Sequence, residues 1–150
     1  MQIFSKKIAF IFLIISLLMA CNEKKKREKT TLEQYGTPYG IPWEKNLDSA
    51  FKKAQKEHKL VMVMAVSKGC KWCEKMKKNT LSNKKVAKRL KNYILVMADR
   101  EQQSEREQLP PFKHVPVIFF MTHKRESLDN IRGYFEAEDF LDYLTNFEEK

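Results

Sequence analysis

The stretch that most restricts the fold of this chain is KLVMVMAV, residues 59–66. A strand with one wet face alternates apolar and polar residues. This run does not alternate, so it suits a strand covered on both sides. NYILVMAD (92–99) and VIFFMT (117–122) read the same way. Between the first two runs the pattern predicts a helix from about Cys70 through Lys78. A second helical piece follows from about Asn83 to Lys91, with Val86, Ala87 and Leu90 on one side. Ahead of them, Asn46 can cap a helix carrying Leu47, Ala50, Phe51 and Ala54 on one face. REQQSEREQLPPFKH (100–114) reads as a polar loop, HKRESLD (123–129) as a turn and NIRGY (130–134) as a short strand. Ala137 to Phe147 reads as a final helix with Phe140, Leu141, Leu144 and Phe147 inward. The order α-β-α-β-loop-β-β-α implies an α/β domain: a central mixed sheet with a parallel pair, a closing antiparallel hairpin and helices on both faces.

The N-terminus sets the compartment. Lys6 and Lys7 precede an apolar core from Ile8 to Met19, broken only by Ser16. That core is about half the ~20 residues a bilayer span needs, and its place at the start reads as a signal peptide over residues 1–20. Leu18-Met19-Ala20-Cys21 resembles the lipobox of bacterial lipoproteins, in which the cysteine is acylated and becomes the mature N-terminus. Asn22 in place of an aspartate resembles the lipoproteins released to an outer membrane. The expected location is therefore exported, held on a bacterial membrane by lipid on Cys21 and facing the periplasm where there is one. More than one acyl chain makes such an anchor stable. Residues 21–42, lysine-rich and later marked by Gly36, Pro38, Gly40 and Pro42, read as a flexible tether. Residues 43–150 are long enough for one compact domain and too short for two.

The formal net charge is +10, and residues 1–20 hold two lysines and no acid. Such a balance favours acidic partners or surfaces. The lysines are scattered over predicted helix faces without a recognition motif, so nucleic acid is not an expected partner.

The chain has three cysteines. With Cys21 assigned to lipid, Cys70 and Cys73 remain, in SKGCKWCEKM (67–76), and an exported chain sits where disulfides persist. The pair falls at the C-terminal end of a central strand, where open α/β sheets place their sites. Three readings compete with redox exchange. A structural disulfide of this spacing closes a very short loop and restrains the unfolded chain little. Zinc wants a second ligand pair, and His114 and His123 lie outside the usual H-x(3–5)-H spacing; no metal site is expected. Copper has soft candidates in Met62, Met64, Met76, Met97 and Met121, although four of these fall in predicted strands, where methionine fills core gaps.

GCKWCEKM after a buried strand, HVPVIFF further on and RGY before the last helix resemble the thioredoxin-like family. The Ala50/Ala54 helix, KLVMV and C-x-x-C-E-K-M are similar to its exported thiol:disulfide interchange domains. The resemblance covers roughly residues 43–147 and implies a thioredoxin-like three-layer sandwich. It also implies that Pro116 is cis and faces the cysteines, that Val115 pairs its backbone with a substrate chain, and that Gly133 lies near the same surface. Two positions depart from the family. Met64 stands where thioredoxins carry a buried acid that helps move the resolving thiol's proton, which leaves water, Glu74 or His114. Gly69 stands where they carry tryptophan, and Trp72 can supply apolar contact to a partner or cover the domain's own edge.

The chemistry follows from the residues themselves. A helix N-terminus and Lys71 both stabilise a thiolate on Cys70, while Glu74 opposes it weakly. Cys73, three residues on, can attack a mixed disulfide at Cys70 and release the partner. Cys70 is thus the expected nucleophile and Cys73 the resolving thiol. The expected activity is disulfide exchange with protein thiols and disulfides and with a redox partner protein, in the reductase or interchange direction and without a cofactor. A disulfide-forming oxidase and a non-enzymatic copper carrier are the alternatives.

Overall fold

The computed structural model describes Pro38 and residues 41–149. The expected signal peptide, Cys21 and most of the expected tether lie outside the described residues. Ile41 is 7 % exposed and sits in the core beside Trp43, so packing reaches two residues further back than Trp43.

The chain forms α1 (Leu47–Glu57), β1 (Val61–Val66), α2 (Lys71–Lys75), a π-helical segment (Met76–Leu81), α3 (Lys84–Leu90), β2 (Ile94–Asp99), α4 (Gln103–Arg106), β3 (Val117–Met121), β4 (Ser127–Arg132) and α5 (Ala137–Glu148). The strands make one sheet in the order β2-β1-β3-β4. β1 runs parallel to β2, and β3 is antiparallel to both β1 and β4. Successive side chains on a strand face opposite ways, and here both ways are covered. Met62, Met64 and Val66 join Leu95, Met97, Ile118 and Phe120 beneath α3, α5 and the π-helical segment. Val61, Val63 and Ala65 join Val96, Val117 and Phe119 beneath α1. That is the expected three-layer mixed sheet, and it is why the sequences of β1, β2 and β3 do not alternate.

Helix α1 starts where its cap permits. The Asn46 side chain accepts the Ser49 amide at 2.8 Å, and Leu47, Ala50, Phe51 and Ala54 are buried as the period requires. Asn83 caps α3 in the same manner, accepting from Lys85 and Val86. α5 is held to α3 at its far end, where the Arg89 guanidinium and the Tyr93 hydroxyl both donate to the Glu148 carboxylate at 2.7 and 2.8 Å. Burial first, and then this hydrogen bond, holds the Tyr93 phenol well above its ordinary pKa.

Four local differences from the sequence reading have physical causes. The helix after Cys70 stays α-helical only to Lys75. It then widens into a π-helical segment that turns Met76, Lys77, Thr80 and Leu81 inward and lets the Thr80 hydroxyl donate to the Phe135 carbonyl. The polar loop contains α4, four residues without an apolar face, whose Glu105 accepts the Asp99 amide. β4 begins at Ser127, within the segment read as a turn. It is a sheet-edge strand built by the ladder to β3, with Ile131 its only buried residue. A register shift in that ladder leaves Leu128 unpaired, and it is 52 % exposed. Ahead of α1, Glu44 bridges the outer edge of β2, its amide donating to the Leu95 carbonyl at 2.8 Å.

Candidate active site

The loop after β1 turns on Ser67, whose carbonyl accepts the Cys70 amide at 3.2 Å. Gly69 has φ +74°, a left-handed conformation that glycine adopts without penalty. The family's tryptophan is replaced here by a residue the turn itself suits. Cys70 is the N-cap of α2: its sulfur accepts the Cys73 amide at 3.1 Å, and its carbonyl accepts the Glu74 amide at 3.2 Å. The two cysteines form a disulfide with Cα atoms 5.3 Å apart, a separation normal for such a bond. They are unequal in access. Cys70 is half-buried at the surface, whereas Cys73 is 1 % exposed. The N–H aimed at the Cys70 sulfur and its place at the start of a helical turn are features that favour negative charge on a sulfur.

The strand beside β1 on the other side from β2 is β3. Ala65 lies opposite Val117, so stepping outward along the two strands sets Pro116 abreast of Val66 and Val115 abreast of Ser67. The Val115–Pro116 peptide bond is cis. Pro116 is buried, and its carbonyl accepts the Gly133 amide at 2.8 Å, which extends the β3–β4 ladder by one step. Gly133, with φ +91°, ends the strand there. Beyond that step, Val115 takes part in no backbone hydrogen bond among the described residues, and its side chain packs against the edges of both cores.

Trp72 is 57 % exposed. One side of its ring lies against Tyr134, with centroids 5.7 Å apart, and the Lys75 ammonium sits 4.1 Å from the Tyr134 ring and 5.4 Å from that of Trp72. Trp72 therefore both covers part of the domain's edge and leaves open apolar area beside Cys70. Tyr134 and Lys75 had no separate signal in the sequence; the aromatic just after Gly133 was the one available hint.

Met64 is fully buried between Met97 and Ile118 in the sheet, so the position of the family's acid is filled by packing. Glu74 is exposed and pairs with the buried Lys77 at 2.7 Å. His114 lies in a cleft with Phe112 and Arg132, next to β3. Met62, Met64, Met76, Met97 and Met121 are all buried in the two cores, which accounts for the methionines by packing. Among the described residues no group of three or more His, Cys, Asp or Glu is placed to hold a metal ion.

A mixed sheet whose β1 leads through a short loop to a Cys-x-x-C at a helix start, with a cis-proline just ahead of the neighbouring antiparallel strand, is the architecture of a dithiol–disulfide domain. A family model described as thioredoxin-like matches residues 42–122, and the chain belongs to the thioredoxin-like family of disulfide oxidoreductases, with Cys70 and Cys73 as its cysteine pair. It is 30 % identical over 105 residues to a thiol:disulfide interchange protein, DsbD, from Vibrio cholerae, covering 66 % of this chain and 18 % of that protein. It is 24 % identical over 108 residues to anterior gradient protein 3 of Mus musculus, covering 72 % of this chain and 65 % of that one. The chain thus spans less than two thirds of either relative. A thioredoxin structure from Thermus thermophilus superposes with a TM-score of 0.60 at 21 % identity, covering 71 % of this chain and 85 % of that one, and so shares the fold. Among the described residues no helix is long and apolar enough to cross a membrane.

Proposed function

We propose that this domain passes electrons to disulfides in partner proteins, with Cys70 as attacking thiol and Cys73 as resolving thiol. The observation that carries the assignment is the asymmetry of the pair: the half-buried Cys70 sulfur accepts an amide, while Cys73 is enclosed. In the reduced protein the Cys70 thiolate attacks one sulfur of a partner disulfide. The partner's S–S bond breaks, a Cys70–partner disulfide forms, and the second partner sulfur leaves as a thiolate and takes a proton. Cys73 then loses its proton to solvent and attacks the Cys70 sulfur. The internal disulfide forms and the partner leaves with both thiols reduced, two electrons having passed to it. Val115, its backbone otherwise unengaged, offers N–H and C=O to the partner's extended chain. Gly133 leaves room beside it, and Trp72 supplies apolar contact area.

Disulfide exchange is favoured by the likeness to a protein named for thiol:disulfide interchange, and the reducing direction is the one proposed. Equilibration against glutathione mixtures is expected to give a potential near about −270 mV, and a value near about −120 mV would mark an oxidase instead. The same reading places the domain outside the cytoplasm, on a lipid at Cys21, supported by the lipobox-like LMAC and the apolar segment before it. Cells fed a labelled fatty acid are expected to label the natural chain and not Cys21→Ser; equal labelling of both would remove the anchor.

A further inference from the structure

On the other side of the sheet from Trp72, next to the cis-proline, lies a cleft of about 420 Å³ lined by Pro111, Phe112, Lys113, His114, Val117 and Arg132. Its base is apolar and firm: Phe112 packs edge-on against Phe119, centroids 5.6 Å apart, and Val117 belongs to the core beneath α1. Its rim is cationic. Arg132 lies opposite Val117 in the β3–β4 ladder, one residue before the Gly133 amide that binds Pro116. The Arg132 Nε donates to a neutral partner, the Asn130 side-chain oxygen, at 3.1 Å.

Among the described residues neither Arg132 nor Lys113 has a carboxylate within 4.0 Å, although Lys53, Lys75, Lys77, Arg89, Arg100 and Arg125 all do. The acids near this end of the sheet are occupied. Glu74 pairs with Lys77, Glu136 with Lys75 and Glu101 with Arg100, and the buried Asp99 accepts the Glu101 amide. Exposed Lys68 and Lys71 flank the cysteines, also without a carboxylate partner. Lys68, Lys71, Lys113 and Arg132 thus bring four cations without an ion-pair partner among the described residues to the mouth of the site, against the buried carboxylates of Asp99 and Glu105, and favour a negative group there.

We infer that this cleft is a specificity subsite for an acidic side chain on the partner chain that pairs with Val115. This rests on the exchange reading above. Val115 packs against the edges of both cores, so a strand laid along it has Trp72 and Tyr134 towards one face of the sheet and the Arg132–Lys113 cleft towards the other. The acid is carried by a residue of that strand next to the one that pairs with Val115, since neighbouring strand residues face opposite sides of the sheet. The cleft holds its methylenes on Phe112 and Val117 and its carboxylate between Arg132 and Lys113.

The test uses reduced protein and short synthetic peptides that carry one disulfide and differ only at that position, Glu against Lys, with a neutral small-molecule disulfide alongside. Second-order exchange rates are measured at low and high salt. The natural protein is expected to favour the Glu peptide about five- to tenfold at low salt, with the preference shrinking as salt rises. K113Q/R132Q is expected to bring the ratio towards one, and K113E/R132E to invert it. The ratio is taken within each protein, so a general loss of rate cancels. An equal rate for both peptides in the natural protein, or an unchanged preference in K113E/R132E, overturns the subsite while exchange with the neutral disulfide upholds the underlying reading. No exchange with any of the three disulfides overturns both.

Discussion

Cys70→Ser loses disulfide-exchange activity by on the order of 10³-fold or more, the expected result of removing a nucleophile, and does so without unfolding the domain. Serine is among the preferred N-cap residues, so its hydroxyl can accept the Cys73 amide that the sulfur accepts at 3.1 Å and keep the start of α2. What disappears is the polarisable thiolate. Cys73 cannot take over, because it is 1 % exposed and a partner sulfur cannot approach it in line. Cys73→Ala should behave differently. Cys70 still attacks, but nothing resolves the product, and mixed disulfides with partner chains accumulate. Insulin reduction followed by turbidity reads the first effect, and non-reducing gels of cell extracts read the second. Mixed disulfides trapped by Cys70→Ser rather than by Cys73→Ala would reverse the two roles.

Phe120→Ala should cost about 3–5 kcal/mol of stability, a large share of the ~5–15 kcal/mol typical of a domain. Phe120 is fully buried in β3, and its ring meets Tyr93 at 5.6 Å, Tyr143 at 5.5 Å and Phe147 at 4.7 Å between centroids. It is the point at which the sheet, the turn between α3 and β2 and the last turns of α5 pack together. Removing the ring leaves a cavity walled by three aromatic rings that cannot all move inward, since Tyr93 is held by Glu148. Urea denaturation should show the midpoint falling with the slope unchanged. The matched change Leu128→Ala, at an exposed bulge position, should stay within about 0.5 kcal/mol. Equal losses for the two would mean that this aromatic cluster does not hold α5 in place. Because Pro116 leads directly into β3, a protein weakened at Phe120 should also hold the Val115–Pro116 segment less firmly.

How far the sequence could be read depended on the range of the interactions involved. KLVMVMAV and NYILVMAD announced buried strands because a strand covered on both sides needs apolar residues at every position. The face of α1 was legible for the same reason, and its start because Asn46 is a local cap. The Cys70–Cys73 pair and its helix start were legible as a motif after a buried strand. By contrast, Ser127–Asp129 looked like turn residues, and they form a strand because the edge of β3 supplies hydrogen bonds irrespective of side-chain polarity. α4 has no apolar period to detect, and the π-helical widening, which brings Thr80 to the distant Phe135 carbonyl, has no local sequence signal. Pro116 and Gly133 could be placed only by resemblance, since neither residue alone says what it faces.

The sequence by itself determined the layers, the order of the strands and of the longer helices, and the chemical identity of the reactive pair, since each rests on short-range periodicity or on residues three apart. Only the tertiary structure decided that β3 lies between β1 and β4, which sets Val115 abreast of Ser67 and leaves its backbone unengaged. It also decided that Met64 is simply core, and that Lys113 and Arg132, nineteen positions apart, share one cleft. Those outcomes depend on strand pairing and register, in which residues far apart in the chain become neighbours, and no local pattern encodes which ones meet.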